Sequence, residues 1–340
     1  MAIEIKATGK AVPPQRVSND DLAVRVDTSD EWIRSHTGIG ARHIAADDTA
    51  GSDLAAEAAF NTLSMAAEGD DIPEKTIEEI LPTIDLIVLG TTSPDYYGCP
   101  STACVVQSKL GAKNAAALDI NAACSSFIYG IETAAGMLSI NEKRRRALII
   151  GTEVLSRIVD WNDRSLCVLF GDGAGAVLVE KTRTEGRRGL LRTVLGADGT
   201  GAEHLIIRRG GGRSPIKDGE TVKSHPHVEM NGQAVYNFAV KAVTETIEEL
   251  LRLEGITIDD VSRIVPHQAN ARIVQAAAKR LDISEEKFFL NIEEYANTSA
   301  ASIPIALDEL NRKGEIRRGD IIMTVGFGAG LTYGGNLIVW

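Results

Sequence analysis

The segment best suited to chemistry spans residues 118–130 and reads LDINAACSSFIYG. An apolar run, typical of a buried strand, leads into a turn of small residues, and Cys124 stands where a helix is predicted to begin. Unpaired backbone N–H groups and the positive end of the helix dipole lower the pKa of a thiol at such a position. The pattern therefore predicts that Cys124 is a nucleophile with a lowered pKa. The alternative is a buried, inert cysteine, which is common in proteins.

Two further segments carry polar residues next to predicted elements. His267 follows a predicted strand and precedes a predicted helix, and α/β proteins place functional groups at the carboxyl ends of strands. Asn297 stands at a predicted helix cap in 295–302, where Asn297 or Thr298 has an ordinary capping role as the alternative. Taken alone, His267 is equally explained as a hydrogen-bonded loop residue. Together, Cys, His and Asn are the groups needed for acyl transfer through a thiolate nucleophile.

A framework of alternating strands and helices must position these three residues. Short β-branched runs predict strands at 84–89, 116–120, 147–150, 176–179, 263–265, 321–325 and 336–339. Alanine-rich or amphipathic stretches predict helices at 53–67, 125–140, 235–253 and 269–281. This alternation predicts an α/β sandwich in which most strands pair in parallel.

The framework contains a weak internal repeat. Residues 85–90 resemble 263–266, residues 147–152 resemble 321–326, and residues 175–180 resemble 335–340. The offsets are on the order of 160–180 residues, as expected for a fold built from two like halves. A polar stretch rich in glycine and arginine follows Glu180, so we predict an N-terminal half at 1–185, carrying Cys124, and a C-terminal half at 186–340, carrying His267 and Asn297.

Composition limits the possible functions. The 340-residue chain has 36 Lys and Arg against 47 Asp and Glu, a net charge of −11, which argues against general binding to nucleic acid or anionic membranes. The four cysteines form no C-x-x-C pair, so we expect neither a disulfide scaffold nor a metal site. We see no signal peptide and expect a cytoplasmic protein. Residues 321–340 lack charge but contain five glycines, which favours two strands around a glycine loop over a membrane span.

Glycine-rich runs at 171–175 and 326–330 resemble phosphate-binding loops only superficially. Each run leads into a predicted strand, whereas the dinucleotide fingerprint requires a helix at that point. We therefore expect no nucleotide cofactor. Glycine lets backbone N–H groups approach a ligand closely, so the second run is a candidate source of an oxyanion-hole donor.

The motifs together resemble a known family. The segments 26–33 with 37–39, 170–176, 265–270 and 297–302, and the glycine-rich C-terminus, are similar to β-ketoacyl-acyl-carrier-protein synthase III, the initiating condensing enzyme of type II fatty-acid synthesis. The resemblance covers essentially the whole chain. It implies a thiolase-like α/β fold with duplicated halves in a five-layered α-β-α-β-α sandwich, and a homodimer.

The resemblance also implies a mechanism without a cofactor or metal. Cys124 would take an acyl group from acyl-CoA, and malonyl-acyl carrier protein would then lose CO₂ while His267 and Asn297 hydrogen-bond its thioester oxygen. The carbanion would attack the acyl-cysteine, and the backbone N–H groups of Cys124 and Ala329 would hold the oxyanion. The product would be 3-oxoacyl-acyl carrier protein.

The remaining site residues are carried over from the family. Those implied for CoA are Thr28, Trp32, Arg157 and Asn270, with His36 standing where relatives often have arginine. Those implied for the acyl carrier protein are Gln268, Ala269, Asn270, Ala271 and Arg272, supported by Lys279 and Arg280. A cationic patch suits an acidic partner, although charged helix faces are also ordinary solvated surfaces. Cys99 and Phe327 are implied for the acyl pocket, with Cys99 inserted from the partner subunit.

Two other functions remain open. One is a related condensing or acyl-transfer enzyme of secondary metabolism with the same Cys–His–Asn set. The other is a non-catalytic scaffold that binds acyl carrier protein, against which the intact set of Cys124, His267 and Asn297 argues.

Overall fold

The computed structural model describes residues 2–183, 187–219 and 226–340. Within these ranges the strands are β1 (Ala2–Ala11), β2 (Gln15–Ser18), β3 (Ala41–Ile44), β4 (Ile84–Gly90), β5 (Ala116–Ile120), β6 (Arg146–Glu153), β7 (Gly173–Thr182), β8 (Gly189–Ala197), β9 (Leu205–Ile207), β10 (Val228–Met230), β11 (Arg263–Pro266), β12 (Ile321–Gly328) and β13 (Thr332–Val339). The α-helices are α1 (Asn19–Ala23), α2 (Asp30–Thr37), α3 (Gly51–Glu68), α4 (Ile77–Ile80), α5 (Thr102–Leu110), α6 (Ser126–Ser139), α7 (Gly232–Glu254), α8 (Ala271–Leu281), α9 (Ile292–Tyr295) and α10 (Ser302–Arg312). The seven predicted strands and four predicted helices are all confirmed, and every one except the strand at 116–120 has an altered end.

Two sheets form the framework, and their strand pairing is mixed. The first has the order β1-β7-β6-β4-β5 and the second the order β11-β12-β13-β8. Only β4 with β5, β4 with β6, and β11 with β12 pair in parallel among these strands. The prediction of largely parallel pairing is therefore wrong. Strand β13 follows β12 through a short glycine turn, and a tight turn of this kind joins antiparallel strands.

The two sheets have the same topology. The order β1-β7-β6-β4 in the first corresponds to β8-β13-β12-β11 in the second, and Phe288 bridges Ile264 in parallel at the place that β5 takes beside β4. The three repeated segments fall on the equivalent pairs β4 and β11, β6 and β12, and β7 and β13. This confirms the predicted duplication. The predicted boundary between 185 and 186 lies outside the described residues.

Three apolar cores join five layers, which alternate between helices and sheets. One core joins α3 and α5 to the outer face of the first sheet. A second contains α6 and α10 between the two sheets, and a third joins α7 and α8 to the outer face of the second sheet. The predicted α-β-α-β-α sandwich is confirmed, and its central layer holds the helices next to Cys124 and Asn297.

The uncharged C-terminal segment forms two paired strands. Strands β12 and β13 pair antiparallel from Ile321 with Val339 to Gly328 with Thr332, as the glycine pattern predicted. Among the described residues, the helices include none with the length and apolar character needed to cross a membrane.

The two halves approach each other at backbone distance beside the central layer. Gly151 of β6 faces the turn that precedes α10, where an added Cβ would lie 2.1 Å from the carbonyl oxygen of Ala300. No side chain fits between these backbones. Gly151 therefore allows the turn that carries Asn297 to lie against the first half of the molecule.

We predict that Gly151→Ala lowers the free energy of unfolding by about 2–3 kcal/mol, because overpacking against a backbone atom forces the two halves apart. Gly136→Ala is the matched control. Gly136 lies in α6 with open space around its Cα, so alanine there should stabilise the protein by about 0.5–1 kcal/mol. Denaturant titration measures both, and equal effects of the two substitutions would contradict the assigned contact.

Candidate active site

Cys124 lies in a short 3₁₀ turn, Ala123–Ser125, between β5 and α6. The backbone N–H of Ala122 donates to Ser126 Oγ at 2.8 Å, and Ser125 Oγ donates to the carbonyl oxygen of Ala122 at 2.7 Å. Ala123 has a positive φ of 48°. Only small side chains are compatible with this tight turn, which presents the thiol at the start of the helix as the sequence predicted.

The predicted lowering of the thiol pKa is wrong for the free protein. Burial raises the pKa of Cys124 to about 12, although the nearby Ser299 hydroxyl opposes the rise, and the charge of Glu153 raises the pKa further. The loss of solvent is the largest of these effects. Cys124 is therefore a neutral thiol at rest and needs a proton acceptor when it reacts.

His267 directly follows β11, and its backbone N–H donates to the carbonyl oxygen of Val325 at 2.8 Å. Its Nδ1 lies 2.7 Å from Ser302 Oγ, which accepts a hydrogen bond from the Gln268 N–H at 3.3 Å. The Ser302 hydroxyl is therefore free to donate to Nδ1, which assigns the ring hydrogen to Nε2. Burial lowers the pKa of His267 to about 3. The imidazole is neutral at pH 7 and is a hydrogen-bond donor at Nε2.

Asn297 is fixed by three hydrogen bonds. Its backbone N–H donates to Leu169, its carbonyl accepts from Gly171, and its Oδ1 accepts from the backbone N–H of Ser299 at 2.8 Å. With Oδ1 occupied, the side-chain NH₂ is the group left to face the site. The amide is thus oriented as a donor before any ligand binds.

These three side chains line one cavity of about 160 Å³, which we call the catalytic cavity. Phe327 closes one side and packs edge-on against His267 with ring centroids 5.3 Å apart. Cys124 also lines a second cavity of about 390 Å³, together with Ser299, Ala329 and Leu205. The thiol thus lies where the two cavities meet.

The backbone of the C-terminal glycine run approaches Cys124 closely. An added Cβ at Gly328 would lie 2.7 Å from the backbone nitrogen of Cys124, and Ala329 lines the second cavity beside that cysteine. The structure therefore brings the two predicted oxyanion-hole residues together. Sequence reasoning did not assign Phe170, which lines both cavities. Its position in the glycine-containing motif 170–176 was the available signal.

The residues predicted for CoA differ in their exposure and in their contacts. Trp32 is 40% exposed and stacks on His36 with centroids 4.4 Å apart. The Arg164 guanidinium lies 5.9 Å from the Trp32 ring, whereas Arg157 donates to the carbonyl oxygens of residues 46, 47 and 49. The Thr28 hydroxyl is buried, and no partner for it lies within the described part of the chain. Arg164 is the cation beside Trp32 that sequence reasoning missed.

The residues predicted for a carrier protein divide into two groups. Gln268 is 2% exposed, and its amide donates to the carbonyls of Pro266 and Phe289, so the prediction that it contacts a carrier is wrong. Asn270 caps α8 and lines the catalytic cavity, and Ala269 lines it too. Arg272 is exposed and donates to the carbonyl of Ser35, next to the half-buried Ala271.

Possible metal ligands were expected not to cluster in this protein. In the ranges that the structure describes, no group of three or more His, Cys, Asp or Glu side chains is arranged to hold a metal ion. Cys99 is exposed in the loop before α5 and lies outside both cavities of this single chain.

Comparisons with known proteins agree with this geometry. Residues 118–199 match the family described as 3-oxoacyl-[acyl-carrier-protein] synthase III, and residues 251–340 match the C-terminal part of the same family. A β-ketoacyl-[acyl-carrier-protein] synthase III of Clostridium acetobutylicum is 46% identical over 100% of this chain and 99% of its own length. One of Caldanaerobacter subterraneus subsp. tengcongensis is 47% identical over 100% of this chain and 98% of its own length.

Solved structures give the same result. The 3-oxoacyl-[acyl-carrier-protein] synthase III of Aquifex aeolicus superposes with a TM-score of 0.86 at 42% identity, with 100% of both chains covered. A priming β-ketosynthase of the R1128 polyketide pathway gives a TM-score of 0.87 at 32% identity over 99% of this chain and 96% of that one.

The lowered pKa of His267 makes stability depend on pH. Between the unfolded value of 6.5 and the folded value of about 3, the unfolded chain binds a proton that the folded protein does not. Stability is therefore lost as the pH falls below 6.5, by at most about 1.4 kcal/mol per pH unit from this group. We predict that the free energy of unfolding of His267→Gln falls less steeply than that of the unsubstituted protein between pH 6.5 and 4.5. Equal slopes in denaturant titrations would contradict the assigned burial.

Proposed function

Because this chain belongs to the 3-oxoacyl-[acyl-carrier-protein] synthase III family of condensing acyltransferases, we propose that it joins an acyl-CoA primer to malonyl-acyl carrier protein with loss of CO₂. The product is 3-oxoacyl-acyl carrier protein, which starts fatty-acid synthesis. The observation that carries the proposal is the meeting of Cys124, His267 and Asn297 at one cavity. The alternative role in secondary metabolism is the more distant one, since the polyketide relative is 32% identical against 46–47% for the fatty-acid relatives.

The first half-reaction is acyl transfer to Cys124. Its sulfur attacks the thioester carbonyl of acyl-CoA, the carbon–sulfur bond to CoA breaks, and CoA leaves as the thiol. The backbone N–H groups of Cys124 and Ala329 hold the oxyanion of the tetrahedral intermediate. Donors of this kind are worth on the order of 3 kcal/mol each.

The second half-reaction uses the neutral donors. His267 Nε2–H and the Asn297 NH₂ hydrogen-bond the thioester oxygen of malonyl-acyl carrier protein, where negative charge develops as CO₂ leaves. A neutral donor suits this step because it stabilises the enolate oxygen without a proton transfer. The carbanion then attacks acyl-Cys124, and the cysteine sulfur leaves.

Substrate binding uses the residues around Trp32 and the exposed face of α8. Trp32 stacks on the adenine of CoA, with Arg157, Thr28 and Asn270 along the path to Cys124. The proximity of the Arg164 guanidinium to Trp32 supports a stacking site in which Arg164 also takes part. For the acyl carrier protein, Arg272, Lys279 and Arg280 provide positive charge near the entrance, and a cationic patch on a protein of net charge −11 favours an acidic partner.

The enzyme works as a cytoplasmic homodimer without a metal or other cofactor. Cys99 is exposed on a single chain in a loop just before α5, so it is accessible to a partner subunit. In the dimer Cys99 closes the acyl pocket of the partner subunit, and Phe327 closes it from within the same chain.

The two half-reactions should separate on substitution. We predict that His267→Ala and Asn297→Ala lower condensation by roughly two to three orders of magnitude while acylation of Cys124 survives, since each removes an oxyanion donor. Cys124→Ala should abolish acyl-enzyme formation and retain malonyl decarboxylation. Intact-protein mass spectrometry after exposure to acyl-CoA measures acylation, and CO₂ release measures decarboxylation.

Two results would overturn these assignments. Labelling of the Cys124→Ala protein by acyl-CoA would remove Cys124 as the nucleophile. Equal loss of both half-reactions in His267→Ala would indicate a Cys–His general-base pair instead.

Primer length should depend on Cys99. We predict that Cys99→Phe lowers kcat/KM for butyryl-, isobutyryl- and octanoyl-CoA while sparing acetyl-CoA, by about fourfold for each methylene that loses its burial, or ~0.8 kcal/mol. Cys99→Ser is the matched control, because it keeps the side-chain volume and should keep the ranking. An unchanged ranking in Cys99→Phe would remove this residue from the pocket.

A further inference from the structure

One buried acid beside the site has no role in the mechanism described above. Glu153, the last residue of β6, is fully buried. Its carboxylate accepts hydrogen bonds from the backbone N–H groups of Thr92 and Ser93 at 3.1 Å and from Ser93 Oγ at 2.6 Å. Thr91 and Thr92 add their hydroxyls at 3.3 and 3.0 Å. Burying a carboxylate is costly even when it is well bonded, so its place next to the nucleophile calls for a reason.

Ser299 shares the second cavity with the thiol and with Thr92, which is bonded to this acid. Its side chain is buried, its φ is 47°, and its backbone N–H donates to Asn297 Oδ1. Ser299, Cys124 and Thr92 line the same second cavity. Burial raises the pKa of both Cys124 and Glu153, and the nearby Ser299 hydroxyl opposes the rise in each. Thr92 donates its backbone N–H and its hydroxyl to Glu153, so the cavity that holds the Ser299 hydroxyl lies beside both the thiol and the carboxylate.

The Ser299 hydroxyl is not committed to either neighbour. It makes no hydrogen bond of standard geometry within the described residues. Hydrogen bonds used in catalysis are often loose in a free enzyme and tighten when the substrate binds. A hydroxyl both accepts and donates, so Ser299 has the chemistry to receive a proton from the thiol while passing its own to a carboxylate.

His267 is poorly suited to accept the proton of Cys124. Its Nδ1 is bonded to Ser302, its Nε2 carries the ring hydrogen, and its buried imidazole resists protonation. The acylation step therefore needs another proton acceptor. Glu153 is a buried carboxylate whose charge acts on Cys124 and which has no other role in the mechanism.

We propose that Ser299 and Glu153 form a proton relay that activates Cys124 for acylation, an inference that rests on the function proposed above. The S–H bond of Cys124 breaks and its proton moves to Ser299 Oγ, while the Ser299 hydroxyl proton moves to the Glu153 carboxylate. The thiolate then attacks the acyl-CoA carbonyl. In the tetrahedral intermediate both sulfurs are bonded to one carbon, so the departing CoA thiolate lies near Ser299 and takes the proton back by the reverse transfer.

The charge balance favours this route. An ionised Glu153 beside Cys124 opposes formation of a thiolate, because two negative charges would share a buried site. Moving the proton to Glu153 neutralises the carboxylate as the thiolate forms. One negative charge is present throughout, and it moves to the atom that reacts. In this relay Ser299 exchanges a proton with the reacting sulfur, whereas Glu153 acts through Ser299.

The test is the single-turnover rate of Cys124 acylation by acetyl-CoA, followed by mass spectrometry of the rapidly quenched protein. We predict that Ser299→Ala and Glu153→Gln each lower this rate by about 100-fold, the scale of general acid–base catalysis. Thr298→Val is the matched control, since it removes another buried hydroxyl, one residue away, that has no hydrogen bond to any described residue, and it should keep the rate within about twofold. In a Cys124→Ala background, Glu153→Gln and Ser299→Ala should leave malonyl decarboxylation within about threefold.

The pH profile separates the relay from a merely structural effect. Without the relay only preformed thiolate reacts, and thiolate is scarce between pH 7 and 9. The acylation rate of Glu153→Gln should therefore rise about tenfold per pH unit over this range. The difference in rate from the unsubstituted protein should narrow as the pH rises. A deficit that stays constant with pH, or an equal loss of decarboxylation, would reject the relay.

The remaining outcomes are also decisive. If Glu153→Gln fails to fold because its donors lose a partner, Ser299→Ala decides the matter, since it keeps the backbone contact with Asn297. A Ser299→Ala rate within about twofold of the unsubstituted rate would overturn the relay while leaving the proposed function intact. Failure of the unsubstituted protein to be acylated by any acyl-CoA would instead overturn the proposed function.

Discussion

The active site depends on the approach of two backbones with no side chain between them. Gly151 lets the first sheet lie against the turn at Ala300, and Gly328 lets the last strands pass beside the amide nitrogen of Cys124. These two contacts join the halves where the chemistry is proposed. A nucleophile from one half and its donors from the other can share a small cavity only if the backbones of the two halves approach this closely. The glycines are therefore constraints on function that act through packing.

The same tight packing determines the electrostatics. Burial keeps the Cys124 thiol protonated and the His267 imidazole neutral, so the pair is not a preformed thiolate–imidazolium pair. Neutral donors at His267 and Asn297 suit a step in which negative charge develops on substrate oxygen. They do not suit removal of a proton from sulfur. The division of work between the two half-reactions follows from this, as does the need for a separate acceptor near Cys124.

Sequence patterns predicted the framework well because strands and helices of a layered α/β fold reveal themselves by local hydrophobic runs. The strand ends also located Cys124 and His267, and the family resemblance supplied Ala329. The failures involve properties that arise only on folding. The thiol pKa depends on burial, which local sequence does not record. Gln268 lies next to His267 in a family motif, yet its side chain turns inward to the carbonyls of Pro266 and Phe289. Glu153 and Ser299 come together only through the contact between the halves.

The duplication explains why the catalytic groups meet. In each half an Asn accepts a hydrogen bond from the backbone N–H two residues later, at 3.1 Å from Asn121 to Ala123 and at 2.8 Å from Asn297 to Ser299. Ala123 and Ser299 have nearly the same positive φ, 48° and 47°, and each turn leads into a central helix, α6 or α10. The two turns thus have the same backbone conformation. In the first half it presents the thiol of the residue that follows, and in the second it orients the amide of the Asn itself. Because the halves pack with these turns face to face, the same turn geometry supplies the nucleophile in one half and an opposing donor in the other.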